Sequence, residues 1–413
     1  MKHVLLVNSG KSNLIRELED DPLVDLTVLT EARFRSKYRP ETKLALVGDI
    51  ANLGEAKDAA VRAAPPGGAF DAVVALSERS ISTGGFLRSF FGLRGFGFDT
   101  ANACTNKYAM KRAFAAGDLP VAPFGLAARP PDVLPAAEQL GWPVVVKPMY
   151  GSGAGDTFVV VDREALTGPA GAPLRAELER LRHPATPSEK TYPLVVEHFV
   201  DVRGEYHCDG IVFDGEVRFA SICKYFGGIL ANLGRLIGSY TVERDRPDAQ
   251  EILDLHTRAV AAVGLRDGVT HMEVLETPDG LLVGEIACRP GGLSIPETLI
   301  RKYGVDIWRA YRQVSFAEEP DVEVVEAPGT VVGCCLPAKL GKIDYVTPAE
   351  RFWEIPEAVD VKMEHTSGSV VSGLYDSAQI TGMVLLHTNG GEDVPRLLDA
   401  VDKRYELRMA SVA

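Results

Sequence analysis

Two carboxylates, Glu273 and Glu285, stand at equal distances from Asp279 in a Pro278-Asp279-Gly280 turn signal, each within a strand-like apolar stretch. That symmetry makes them near cross-strand neighbours on one face of a hairpin, where they repel unless a cation sits between them. Two carboxylates, with water and substrate phosphates completing the shell, are what Mg²⁺ takes. His271 shares the face of Glu273 by strand alternation and is a candidate substrate contact, against the competing reading of a satisfied structural histidine. Arg289 follows four residues after Glu285 and leads into Pro290-Gly291-Gly292. A guanidinium there can stabilise charge on a transferring phosphoryl group, or simply pair with one of the two glutamates.

Lys147 directly follows Val144-Val145-Val146 and so emerges from a buried strand, where its ammonium needs an anionic partner. Gly151-Ser152-Gly153-Ala154-Gly155 comes next, a loop whose backbone N–H groups can approach phosphate oxygens without Cβ interference. It lacks the last glycine of a dinucleotide fingerprint and runs into the apolar stretch Phe158 to Val161, so strand, loop and strand form a hairpin flap. Gly10-Lys11-Ser12 is no phosphate loop, because Leu5 stands where the first glycine is required.

These groups need elements to hold them. Residues 1 to about 100 alternate short apolar strands (His3 to Asn8, Leu26 to Leu29, Leu44 to Val47, Asp71 to Leu76) with helical stretches, the pattern of a doubly wound parallel sheet. The fourth strand runs into Ser77-Glu78-Arg79, and ligands of such sheets gather at the carboxyl ends of strands, which makes Glu78 a candidate substrate contact beside its reading as a helix-capping residue. Thr100 to Asp118 reads as one helix with a stop near Gly117. Strands joined by tight turns follow from Tyr192, a helix covers 251 to 263, and Gly-punctuated strands return from about 328 before a last helix from Asp393 to Tyr405.

With 413 residues, 46% of them hydrophobic, the chain can bury a large core and form several domains. Its net charge of −13 argues against a nucleic-acid partner. The opening MKHVLLVNSG is too short an apolar run for a signal peptide or a membrane span, so a cytoplasmic protein without a membrane partner is expected. The six cysteines form no C-x-x-C pair and read as reduced core thiols.

Taken in order, Lys107 on a helix, Lys147 with its Gly-rich flap, VVEHFVDVRGEY, Glu273 with Glu285, and Arg289-Pro290-Gly291-Gly292 resemble the ATP-grasp superfamily over nearly the whole chain. The His-x-Glu pattern at 271 to 273 and EIACRPGG at 285 to 292 resemble its carboxylate–amine (L-amino-acid) ligase branch. The resemblance implies an α/β and α+β protein: an N-terminal parallel-sheet domain (1–100), a two-lobed ATP-grasp domain (101–200 and 201–328) and a C-terminal β-rich lid (329–413). It places Lys107 and Lys147 on the phosphates, with Gly151, Ser152, Gly153 and Gly155 closing over them. The adenine hinge would run from Glu197 through His198 to Val200, with Glu205 on the ribose. Glu273 and Glu285 would hold Mg²⁺ or Mn²⁺, Arg289 would act in catalysis, and Glu78, His271, Gly291 and Gly292 would meet the substrate. Many relatives carry Asn two residues after the second metal glutamate, where this chain has Ala287. The implied reaction is ATP-dependent formation of an acyl phosphate from a small carboxylic acid and its capture by an amine, with a homodimer as a compatible assembly. Bicarbonate or formate as the acid, or a nucleotide-binding protein without turnover, are the rival readings.

Overall fold

A computed structural model of the protein describes residues 1–151, 153, 156–181, 193–227, 234–372 and 379–410. Four strands, β1 (Lys2–Val7), β2 (Val24–Glu31), β3 (Lys43–Val47) and β4 (Ala72–Ala75), form a parallel sheet in the order β3-β2-β1-β4. Val4 to Val7 and all of β4 are buried, as strands covered on both faces must be. The order reverses between β1 and β4, so the loops leaving those two strands part and open a crevice at their carboxyl ends. A hydroxyl contact between Ser9 and Ser77, 2.6 Å long, joins the two loops at its base.

The single helix expected over Thr100 to Asp118 is instead two, Phe98–Ala103 and Lys107–Ala116. Asn106 leaves the helical conformation, and its side chain accepts the N–H groups of Tyr108 and Ala109. This N-cap restarts the helix with Lys107 as its first residue. The Lys107 N–H in turn donates to the Met149 carbonyl at 2.9 Å, which fastens the helix start to the loop after the Lys147 strand.

That strand belongs to a second, antiparallel sheet of β5 (Phe124–Ala127), β6 (Val144–Pro148), β7 (Phe158–Val160) and β8 (Leu194–His198), in the order β5-β8-β6-β7. It has its own core of Val144, Val146, Val160, Leu194 and Val196 with the helix Val133–Leu140.

The remaining strands are β9 (Gly204–Phe213), β10 (Glu216–Tyr225), β11 (Ile237–Thr241), β12 (Gly268–Thr277), β13 (Gly280–Ala287), β14 (Thr330–Pro337), β15 (Gly341–Val346), β16 (Ala358–Met363), β17 (Val370–Val371), β18 (Ile380–Thr388) and β19 (Leu407–Met409). Eight of them form one antiparallel sheet, β13-β12-β9-β10-β11-β14-β18-β16, and three a small sheet, β17-β15-β19. Strands on both sides of residue 328 therefore share one sheet, so the C-terminal segment is hydrogen-bonded into the structure that carries the two glutamates. The six cysteines are free and buried. Among the described residues no helix is long and apolar enough to cross a membrane.

Candidate active site

One cavity of about 810 Å³ lies between the β1/β4 crevice, the helix Lys107–Ala116, strands β6 and β8, and one face of β9, β12 and β13. Its geometry starts from a hairpin. β12 and β13 are joined by Pro278 and Asp279, with Gly280 at φ +121°, a conformation that L side chains rarely adopt. Counting back from this short loop, a regular ladder would set Glu273 against Gly284 and turn Glu285 to the other face. A β-bulge shifts the register there, so Val274 pairs with Val283 but Glu273 pairs with Glu285. The extra residue is what brings both carboxylates to the cavity face, since a one-residue slip reverses every side chain beyond it.

Glu285 is met from two sides by ammonium groups. Lys107 Nζ lies 3.1 Å from its Oε2 and Lys147 Nζ 3.1 Å from its Oε1. Burial disfavours its charge, but Lys107 and Lys147 outweigh burial and hold its carboxyl well below the usual range. Lys147 also stands 3.0 Å from Glu197 Oε1. Burial works against its charge too, and Glu197 and Glu285 reverse that and raise its pKa. The anionic partner that Lys147 required is thus a pair of carboxylates. Lys107 Nζ further donates to the Gly151 carbonyl at 2.6 Å. Gly151 and Gly153 have φ of +120° and +74° and both border the cavity; Ser152 and Gly155 lie outside the described residues.

On the same face of the large sheet, His271 pairs with Asp209 and Glu273 with His207. His271 Nδ1 is 2.9 Å from Asp209 Oδ1, His207 Nδ1 2.5 Å from Asp209 Oδ2, and His207 Nε2 2.7 Å from the Ser239 hydroxyl. Burial favours neutral His271, yet Asp209 and Glu273 push its pKa up to about 9. Asp209 is fully buried, and the two histidines hold it charged. Neither Asp209 nor His207 was singled out from sequence, although the alternation His207-Cys208-Asp209 is the period-2 signal of two polar groups sharing one face.

Arg289 pairs with Glu78 rather than with either hairpin glutamate, its Nε donating to Oε2 at 2.8 Å. Glu78 opens the helix Glu78–Phe91 at the end of β4, so this ion pair spans the parallel-sheet crevice and the large sheet. Gly291 packs against the histidine cluster: a Cβ there would come within 2.9 Å of Asp209 Oδ1 and 3.0 Å of His271 Nδ1. Gly292 has open space beside it. Ala287, opposite His271 on β13, leaves the cavity wall apolar at that point.

Glu197, His198 and Val200 border the cavity where β8 ends, with Glu205 at the start of β9. The N–H groups of His198 and Phe199 are bonded to the carbonyls of Pro123 and Pro143, which fixes the path of this segment. The Glu197 side chain turns inward to the lysines. Lys11, from the discounted Gly10-Lys11-Ser12 stretch, also lines the cavity, with Glu17, Glu297, Asp306 and Glu364; no motif marked these four, because isolated charges in loops and on helix faces read as solvated.

No family model matches the chain. An L-arginine-specific L-amino acid ligase of Bacillus subtilis is 32% identical to it over 418 residues, covering 99% of this chain and 98% of that protein. A crystal structure of an L-amino acid ligase from Bacillus licheniformis superposes with a TM-score of 0.75 at 17% identity, over 100% of this chain and 99% of the other. N5-carboxyaminoimidazole ribonucleotide synthetase of Thermotoga maritima gives 0.70 at 15% identity, over 99% and 100%. The fold is that of the ATP-grasp enzymes. Within it the chain belongs to the L-amino-acid ligases, as the full-length relative shows, and is an ADP-forming carboxylate–amine ligase.

Proposed function

We propose that this enzyme joins the carboxylate of one amino acid to the amine of a second, and that the residues gathered around Glu285 carry the phosphoryl transfer. The supporting observation is the Glu273–Glu285 pair facing Lys107 and Lys147 in one cavity. In this reading Lys107 and Lys147 leave Glu285 for the nucleotide phosphates, and the backbone of Glu197 to Val200 reads the adenine, with Glu205 on the ribose. Glu273 and Glu285 fit a divalent cation: both face the cavity, their side chains are 37% and 27% exposed, and a carboxylate oxygen bonded once keeps a lone pair. They would hold Mg²⁺ or Mn²⁺, which supplies charge that offsets the triphosphate.

The acid's carboxylate oxygen attacks the γ-phosphorus, ADP leaves, and an acyl phosphate forms. Arg289, kept in place by Glu78, stabilises the oxyanion when the amine attacks the carbonyl carbon. The bond to phosphate then breaks, and phosphate leaves with the acid's oxygen. Gly291 and Gly292 let the backbone approach the substrate, and His271 borders it. Water must be kept from the intermediate, and Gly151 and Gly153 border the cavity where that would be needed.

The Bacillus subtilis relative is specific for L-arginine, and we extend a cationic acid substrate to this chain. Glu17, Glu297, Asp306 and Glu364 line the cavity, and Glu297 Oε2 is buried with no hydrogen-bond partner among the described residues. Burial raises the Glu297 pKa against the pull of Lys362, 3.9 Å from Oε1, with Asp360 and Glu364 adding to the rise, and a bound cation at Oε2 would relieve that site. The test is ADP release with pairs of amino acids and mass spectrometry of the product. Arginine-dependent ADP release with a dipeptide is expected. Release with leucine but not arginine would refute the cationic preference, and release with bicarbonate or formate alone would refute the ligation.

A further inference from the structure

Three lysines and two glutamates form one unbroken line of ion pairs in the cavity wall. Lys107 pairs with Glu285 at 3.1 Å, Glu285 with Lys147 at 3.1 Å, Lys147 with Glu197 at 3.0 Å, and Glu197 Oε2 with Lys111 at 3.3 Å. The first four have places in the nucleotide site described above. Lys111 has none, yet its side chain is only 2% exposed. It lies one helical turn beyond Lys107, on the same face of the same helix. Its ammonium also reaches the Gly284 carbonyl, at 3.4 Å, in the bulge that aims Glu285. Burial lowers its pKa, with Glu197 opposing. A long cationic side chain is costly to bury unless its charge is used.

Counting charges shows what that use is. Three ammonium groups against two carboxylates leave the line with one net positive charge before any substrate arrives. Each carboxylate is shared by two lysines, so neither grips Lys147 alone. Without Lys111 the line is neutral, and the whole charge of Glu197 falls on Lys147 at short range in a buried setting, where such attraction is strong. Lys147 would then be held back from phosphate.

We propose that Lys111 is a positioning residue for nucleotide binding: by sharing the charge of Glu197 it keeps Lys147 available to the phosphates and leaves that line of ion pairs net positive. This rests on the nucleotide reading of Lys107 and Lys147. It does not require Lys111 to touch the nucleotide.

The test is calorimetric titration of full-length wild type, Lys111→Met and Lys111→Met/Glu197→Gln with a non-hydrolysable ATP analogue and Mg²⁺. Lys111→Met is expected to weaken binding about tenfold. The double variant, which restores one net positive charge to the line, is expected to bind more tightly than Lys111→Met. The KM values for the amino acids at saturating ATP should stay unchanged in Lys111→Met. A merely structural lysine gives the opposite order, with the double variant as weak as Lys111→Met or weaker, and that result overturns the proposal, as does wild-type affinity in Lys111→Met. Should Lys111→Met not fold, the double variant decides alone: a loss of about tenfold or more against wild type contradicts the charge-sharing role. Failure of wild type to bind the analogue would instead refute the nucleotide reading itself.

Discussion

Glu285 stands between two ammonium groups and opposite a second carboxylate, so its removal unbalances three charged side chains without opening the hydrophobic core. Glu285→Ala is accordingly expected to remain folded and to lose amino-acid-dependent ADP formation by about 100-fold or more; near wild-type turnover at limiting Mg²⁺ would contradict the role given to it. The two neighbouring glycines make a sharper steric comparison. A Cβ at Gly291 meets Asp209 and His271 at about the distance where one side must shift, while Gly292 has room. Gly291→Ala should cost about 1–3 kcal/mol of stability and Gly292→Ala no more than about 0.5. Thermal denaturation of the two variants checks this, and equal midpoints would mean the glycine loop yields more easily than its packing indicates. At this scale the sequence disclosed what bears a local signature. The turn at Pro278-Asp279-Gly280 announced the glutamate pair, and the apolar run before Lys147 announced a buried cation. Lys111, Asp209 and the inward side chain of Glu197 were not legible, because a charge on a periodic element reads as solvated until the element packed against it is known.

One helix sets the site's geometry by its end, and another bears on the stability of the sheet behind it. The helix Lys107–Ala116 starts where it does because Asn106 caps it, and the sequence reading missed this break because apolar residues continue at helical spacing through both helices. Asn106→Ala should therefore cost about 1 kcal/mol in urea denaturation. It should also weaken ATP-analogue binding by loosening Lys107, and a stability loss with unchanged affinity would separate the cap from the site. The helix Pro247–Ala262 presses His256 against Thr270 of β12, with His256 Nε2 2.7 Å from the hydroxyl. Burial lowers the His256 pKa from 6.5 to about 4. Between those values the unfolded chain binds more protons than the folded one, so stability must rise with pH across that window and be lost as pH falls through it. The predicted contribution is on the order of 3 kcal/mol. A urea series at pH 4.5 and pH 7 should show a smaller difference for His256→Gln than for wild type, and an equal difference would assign the acid sensitivity to other groups.

Over the whole molecule, the cavity exists because three sheets converge on it. The parallel sheet contributes Glu78 from its strand-order reversal, β6 and β8 contribute Lys147 and Glu197, and the large sheet contributes the glutamate pair and Arg289. Each sheet could be anticipated from its own strands: wholly apolar runs at 1–100, a hairpin flap near 150, alternation around 273. That strands beyond residue 328 complete the large sheet was not legible, since antiparallel pairing across more than ninety residues leaves no mark in either segment alone. The convergence accounts for one central claim, that the acid is activated by attack on the γ-phosphorus. The most direct measurement supplies the acid substrate with ¹⁸O in its carboxylate and follows the label through a single round of ligation. The account predicts ADP as product and one ¹⁸O atom in the released phosphate, because that oxygen bridges carbon and phosphorus in the acyl phosphate and leaves with phosphorus when the amine attacks. Label in AMP, or unlabelled phosphate accompanying a formed amide bond, would contradict it.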